Sequence, residues 1–288
     1  MDVGIGLPST IPAIQGRLIP EWAVAAERAG FSTLGTIDRV VYPNFETIPT
    51  LAAAAAVTER IGLTTSILIA PYRGNGALLA KQLASVQLLS NGRLTVGIAV
   101  GGREDDYEST GTPFAERGRI FDRQLAEMRA IWAGEPRGFA GPIGPTLGPD
   151  GAPPLLFGGT AGVTFRRMAE YGAGWIAGGG GPDAFAGGAE QARRAWRDAG
   201  RDGEPRLAAL AYASLGDDAS DHARSYLGHY YGFLGDFAEQ IIAGALTTRE
   251  AVAGAVRTFG DAGCDELILF PCNPDLGQVD QIAEAAGL

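Results

Sequence analysis

Short apolar runs alternate with longer segments in which apolar residues recur every three or four positions, and the alternation continues along the 288 residues. Period two or an unbroken β-branched run predicts a strand, whereas i, i+3, i+4 spacing predicts a helix. Strands are therefore predicted over 2–7, 33–37, 63–70, 94–100, 155–157 and 175–177, within 207–214, and over 267–270. Helices fall between them. Leu18, Trp22, Ala25 and Ala29 mark the first, ended by Gly30; residues 49–60 and 76–89 form the next two, and Phe121, Leu125, Met128 and Trp132 the fourth. Thr160 is the expected N-cap of the fifth, 183–199 the sixth, and Leu276, Val279 and Ile282 mark the last.

Two stretches break the rhythm. Residues 133–153 are rich in Gly and Pro and read as a small lid or hairpin. About fifty residues separate the last two strands, room for three helices marked by Tyr226–Tyr230–Leu234, Phe237–Ile241–Ala245 and Val252–Val256–Phe259. The third has an expected capping box, Thr247-Thr-Arg-Glu250. Eight strands alternating with helices predict an α/β chain, a (β/α)8 TIM barrel with helical and loop insertions, as one domain over 1–288. A doubly wound sheet would want a Gly-rich turn after the first strand, where Leu7-Pro8-Ser9 stands.

Strand C-terminal loops of a barrel share one rim, and sites are built there. The loops here pair Gly with polar side chains: Arg73-Gly74-Asn75 after strand three, Gly101-Gly-Arg103-Glu-Asp105 after strand four. Gly158-Gly159-Thr160 and the run Gly178, Gly179, Gly180, Gly181 follow strands five and six. Glycines before a helix let backbone N–H groups reach an anion, so these two loops are a candidate phosphate cradle. The 43 glycines are equally a mark of GC-rich coding.

Charge and rare residues exclude several classes. A net charge of −10 with no basic run argues against nucleic acid. Only His222 and His229 are histidines, too few for a metal-dependent barrel hydrolase, so no metal is expected. There is no Gly-x-Ser-x-Gly elbow, and Lys81, the single lysine, lies off the apolar stripe Leu79, Leu83, Val86, Leu89. Cys264 and Cys272 flank a strand that holds them roughly 25 Å apart, beyond disulfide reach. Free thiols, no leading signal segment and no long apolar run suit a cytoplasmic protein away from membranes. With no redox or nucleophilic centre of its own, the chain points to a bound cofactor.

The motifs Ala26-Glu-Arg-Ala-Gly-Phe31, Thr58-Glu-Arg-Ile-Gly-Leu63, Leu79-Ala-Lys-Gln82, Leu89-Ser-Asn-Gly-Arg93, 101–111, Pro154-Leu-Leu-Phe-Gly-Gly159 and Gly174-Trp-Ile176 stand in an order that resembles the bacterial luciferase-like family of flavin- and deazaflavin-dependent oxidoreductases. The resemblance implies a barrel holding coenzyme F420, or alternatively reduced FMN, with its phosphate near the 158–160 and 178–181 loops. It implies a non-proline cis peptide at Ser66–Ile67 forming a bulge beneath the ring, with Arg103 and Asp105 beside the cofactor. Asp38 and Arg39 take the catalytic place at the end of strand two, where the family often has His after the Asp. A fixed guanidinium there would stabilise negative charge on the reduced cofactor or the substrate, and Arg39→Met is expected to lower turnover with little loss of stability. Tyr42, His229 and Tyr230 are candidate walls of a substrate pocket covered by 133–153 and 216–260.

The expected activity is hydride transfer between F420 and a small organic substrate. The alternatives are an FMN-dependent monooxygenase fed by a separate flavin reductase, and a flavin-binding protein without turnover. The possible partners are thus a small molecule, a flavin or F420 reductase and a second copy in a homodimer.

Overall fold

The computed structural model describes residues 1–148 and 150–288. Eight parallel strands close into a barrel in sequence order, each hydrogen-bonded to the next and β8 to β1. In chain order the elements are β1 (Asp2–Gly6), α1 (Leu18–Ala29), β2 (Thr33–Thr36), α2 (Thr47–Ala55), β3 (Gly62–Ile69), α3 (Gly76–Leu89), β4 (Leu94–Ala99), α4 (Glu104–Ser109), α5 (Arg117–Trp132) and β5 (Leu155–Gly158). They continue with α6 (Gly162–Tyr171), β6 (Gly174–Ala177), α7 (Gly181–Asp198), β7 (Arg206–Ala213), α8 (Ala219–Tyr231), α9 (Asp236–Ala243), α10 (Arg249–Asp261), β8 (Glu266–Pro271) and α11 (Gln278–Ala286). The (β/α)8 expectation is met.

Two apolar layers hold the barrel. Outward strand positions such as Ile5, Leu34, Leu63, Val96, Phe157 and Leu267 pack against the helices. Inward positions such as Leu156, Ile176, Leu210, Ile268 and Phe270 fill the interior. Phe270 explains two glycines. A Cβ on Gly6 would lie 2.2 Å from its ring, and one on Gly35 2.8 Å, so neighbouring strands give up side chains to admit one large one.

Several local expectations change. Residues 104–109 form a short helix, not open loop. The helix expected over 49–60 runs Thr47–Ala55, with the Glu46 carboxylate accepting the N–H of Ile48 at 2.7 Å. Thr160 is not a cap: α6 starts at Gly162 after Ala161, with no side-chain cap. On α10 the cap is Thr248, whose Oγ1 accepts from Ala251, one residue later than the expected box. Leu89 is 64% exposed, because α3 ends there and its apolar stripe closes at Val86.

The described part of 133–153 lies away from the rim. It follows a helix and leads into the start of β5, so it runs along the barrel's opposite end, tied to α3 by Lys81 Nζ donating to the Gly144 carbonyl at 2.6 Å and Gln87 Nε2 to Gly151 at 3.0 Å. A turn bridges Pro136 and Pro142, so a small hairpin is present, but it covers no rim cavity; Pro149 lies outside the described residues.

Candidate functional site

A cavity of about 180 Å3 opens among the carboxyl ends of the strands. Its floor is the end of β3. Pairing between β3 and β4 slips between Thr65 and Leu68, and the Ser66–Ile67 peptide is cis, as expected from the resemblance. Ser66 and Ile67 both line the cavity, and the Ser66 hydroxyl is buried without a partner among the described residues. Gly158 lies behind this bulge, where a Cβ would meet the Ile67 side chain at 2.5 Å.

Two charge networks brace the rim. Asp38, 5% exposed, accepts the Ile69 N–H at 2.9 Å on one oxygen and Arg73 Nη2 at 2.8 Å on the other. Arg73 also donates to Glu46 at 2.6 Å. Burial disfavours the Arg73 charge, but the two carboxylates outweigh it and hold the guanidinium above its usual range. Tyr72, beside them, is pushed up by burial and then by the Asp38 charge; Asp38 is close without meeting bonding geometry, and the hydroxyl has no partner.

Arg39, 7% exposed, sits between two acids. Nη2 donates to Asp105 and to the Val41 carbonyl, both at 2.9 Å, while Nε lies 2.9 Å from Asp106 but off the N–H direction. Asp106 is itself fixed by the N–H groups of Val40 at 3.0 Å and Val41 at 2.7 Å. The first helical turn after β4 thus holds the loop after β2.

The far wall is aromatic. The Tyr212 and Tyr231 hydroxyls meet at 2.7 Å, and burial raises both, Tyr212 well above its ordinary value. Tyr230 packs against Tyr231 and beneath Tyr42. Arg103 lies over Phe233 at 3.8 Å and Tyr230 at 4.8 Å.

The structure brings Asp38, Arg39, Ser66, Ile67, Arg103, Gly178 and Tyr230 to one cavity. Other candidates stand outside its lining. Asp105 is half exposed on the outer side of Arg39, and Asp106 takes the inner place, because α4 turns the two carboxylates apart. Tyr42 and His229 form an outer pair, Tyr42 Oη to His229 Nδ1 at 2.8 Å, and burial pushes the Tyr42 phenol up to about 12. Gly158 is buried behind the floor; Gly159, Thr160, Gly179 and Gly180 are exposed on adjacent strand ends beyond the cavity. Gly159, Gly179 and Gly180 all have positive φ, backbone that side chains rarely adopt.

The sequence reading gave no role to Arg73, Asp106, Tyr72, Tyr107, Tyr212 or Tyr231. Arg73 and Asp106 had a usable signal, polar residues on loops after parallel strands. Tyr72 and Tyr107 follow β3 and β4 and shared that signal, whereas Tyr212 and Tyr231 had none, since only the closed fold shows which face of β7 and α8 turns inward. Among the described residues no cluster of His, Cys, Asp and Glu could hold a metal ion, and no helix is long and apolar enough to cross a membrane.

The cavity suits one edge of a planar, polar-rimmed ring. It has an apolar floor in Ile67, partnerless buried hydroxyls at Ser66 and Tyr72, and open backbone at Gly102 and Gly178, neither of which would crowd a Cβ.

Comparison with known proteins follows the same line. The profile of the family described as luciferase-like monooxygenase matches residues 1–286. An uncharacterized protein of Mycobacterium tuberculosis is 32% identical over 189 residues, 56% of this chain and 65% of that protein. An F420-dependent glucose-6-phosphate dehydrogenase of Nocardia farcinica is 26% identical over 191 residues, 61% of this chain and 57% of that protein. The chain thus spans about three fifths of the length of the curated relatives it matches. Among solved structures, an F420-dependent secondary alcohol dehydrogenase in complex with an F420-acetone adduct superposes with TM-score 0.82 at 19% identity, covering 99% of this chain and 97% of that one. The oxygenating constituent of 3,6-diketocamphane monooxygenase of Pseudomonas putida, in complex with FMN, gives 0.78 at 17% identity, with the same coverage.

Proposed function

We propose, since this chain belongs to the luciferase-like monooxygenase family, that it is an oxidoreductase that transfers hydride between a deazaflavin of the F420 type and a small organic substrate. The observation that carries the reading is the floor of the cavity: Ile67 raised on the β3 bulge, with the buried Ser66 and Tyr72 hydroxyls left without partners. Buried polar groups are rarely left unpaired, so two beside one apolar platform favour a ligand with both a flat face and polar edges. Likeness to the F420-dependent glucose-6-phosphate dehydrogenase of Nocardia and to the F420-dependent alcohol dehydrogenase favours F420 as that ligand.

When bound, such a ring supplies the two-electron chemistry that no side chain here can. The chain's own residues hold and shield. Ile67 would support a face of the ring, and the Ser66 and Tyr72 hydroxyls would be hydrogen-bond donors to it. Asp38 is fixed by Ile69 and Arg73 and so keeps the loop after β2 in place. Tyr231, paired with Tyr212, is a hydroxyl donor for an oxygen on the substrate. Arg39 offers only hydrogen-bond donors and cannot act as a general base. The glycine loops after β5 and β6 are assigned to the cofactor phosphate.

FMN is the second reading, favoured by likeness to the FMN-bound monooxygenase constituent; it would call for a separate reductase. Absorbance titrations of the purified protein with reduced F420 and reduced FMN, under anaerobic conditions, decide between them. Saturable binding of F420 and weaker or no binding of FMN is expected. FMN binding alone would replace the first reading with the second, and binding without turnover of any alcohol or enone offered would leave a flavin-binding protein.

A further inference from the structure

The positive groups of the rim are unequal. Arg39 has Asp105 and Asp106, and Arg73 has Asp38 and Glu46. Among the described residues Arg103 has no carboxylate within ion-pair distance, although it lines the same cavity and burial already lowers its pKa. Among the same residues its one hydrogen bond runs from Nη2 to the Tyr230 carbonyl at 3.2 Å; Nε and Nη1 have no partner there and are accessible to solvent. Three rings hold the guanidinium: Phe233 at 3.8 Å, Tyr230 at 4.8 Å and Tyr231 at 5.7 Å. Aromatic faces attract a cation without neutralising it, so the side chain is oriented, partly desolvated and still charged.

From this we infer that Arg103 is a specificity residue that binds an anionic group of the substrate, a carboxylate or a phosphate ester, and that substrates of this protein carry such a group. The inference deepens the proposed function and rests on it for the identity of the anion's owner as substrate. Desolvating an unpaired cation is unfavourable, and a bound anion removes that penalty while taking two charge-assisted hydrogen bonds from Nε and Nη1. The Tyr212–Tyr231 hydroxyl pair lies next to the same guanidinium, and Ile67 forms the floor. A short organic anion held at Arg103 would thereby keep its reacting carbon within the cavity.

The test uses the full chain and neutral isosteres as controls. Benzoate is compared with benzamide, and phenyl phosphate with phenyl methanesulfonate, by calorimetric titration without cofactor. Wild-type protein should bind one of the anions at least about tenfold more tightly than its neutral partner, as one charge-assisted hydrogen bond would give. Arg103→Gln should erase that preference and leave affinity for the neutral compound unchanged; Arg103→Lys should retain part of it. Equal binding of anion and isostere by wild-type protein overturns the inference without need of any variant. So does a preference that persists in Arg103→Gln. Reduced F420 is titrated into the same proteins. Loss of F420 affinity in Arg103→Gln with no anion preference in the wild type would assign Arg103 to the cofactor and overturn the substrate assignment. An anion preference in a protein that binds neither F420 nor FMN would keep the anion site and overturn the oxidoreductase reading.

Discussion

Arg39 is spoken for on two sides, and this alters what its loss should do. The sequence places it at the end of β2 with a free charge to offer, whereas Asp105 and Asp106 occupy it and Asp106 is nearly sealed, its side chain 3% exposed. Removing one partner of a buried pair leaves an uncompensated charge and costs roughly 3–5 kcal/mol. Two backbone N–H bonds still serve Asp106, so Arg39→Met is expected near the lower end, about 3 kcal/mol, measured by urea unfolding. The ion pairs thus put a loss of stability beside the fall in turnover that the sequence leads one to expect. Arg39→Lys should not restore the loss, since a single ammonium cannot reach Asp105, Asp106 and the Val41 carbonyl together. A Met variant as stable as wild type would show that the pair contributes nothing and return Arg39 to purely electrostatic duty. What the sequence disclosed at this scale was position: residues after parallel strands face one rim. Pairing was hidden, because which of Asp105 and Asp106 turns inward depends on the phase of α4, a six-residue helix with no apolar periodicity to betray it.

At the scale of elements, the legible parts are those with a long repeat. The apolar spacing of α3 and α5 and the β-branched run of β3 are patterns that packing alone reproduces. Ends are less legible, as the shifted cap of α10 and the early stop of α2 show, because one hydrogen bond decides them. The chain after α2 illustrates the point. Glu27, in α1, accepts the N–H groups of Glu59 at 3.0 Å, Arg60 at 2.6 Å and Ile61 at 2.9 Å, so a carboxylate thirty-odd residues away fixes the turn that leads into β3. Burial opposes its charge, yet the three amides outweigh burial and hold the Glu27 carboxyl below the usual range. Glu27→Ala should therefore cost about 1 kcal/mol, chiefly through the Ile61 amide, since water can reach those of Glu59 and Arg60. Hydrogen exchange at 59–61 should accelerate in the same variant. Since the folded-state pKa is lowered, the stabilisation is present above the ordinary glutamate range and fades as pH falls through the folded value. Protection at 59–61 unaltered in Glu27→Ala would mean that the turn is held by β3 alone. The position of 133–153 was legible but misread: a segment after a helix and before a strand belongs to the amino ends of the strands, away from any site.

Buried thiols and phenols are spread through the molecule, from Cys264 just before β8 to the tyrosines of the rim, and in the folded chain they ionise only at high pH. Burial pushes the Cys264 thiol up to about 12 and Cys272 higher still; Tyr72, Tyr107, Tyr212, Tyr226 and Tyr230 are raised for the same reason, in the first case with Asp38 adding to it. The sign follows from proton counting. In the unfolded chain thiols ionise near 8.5 and phenols near 10, while the folded chain keeps them protonated, so above those values folding requires proton uptake and stability falls as pH rises. These groups should leave stability flat from pH 7 to about 8.5, then lower it by up to about 1.4 kcal/mol per pH unit for each fully buried group as the unfolded thiols and then the phenols ionise. Thermal unfolding at intervals from pH 7 to 11 measures this, and Cys272→Ala should make the first part of the decline shallower. The same burial predicts that neither thiol of the native protein reacts with a disulfide reagent at pH 8, and that both react once the chain is unfolded in guanidinium. A midpoint that holds steady to pH 11 would show that these groups are open to solvent in the folded chain, and a Cys272 thiol that titrates in the native state would place that opening at the carboxyl end of β8.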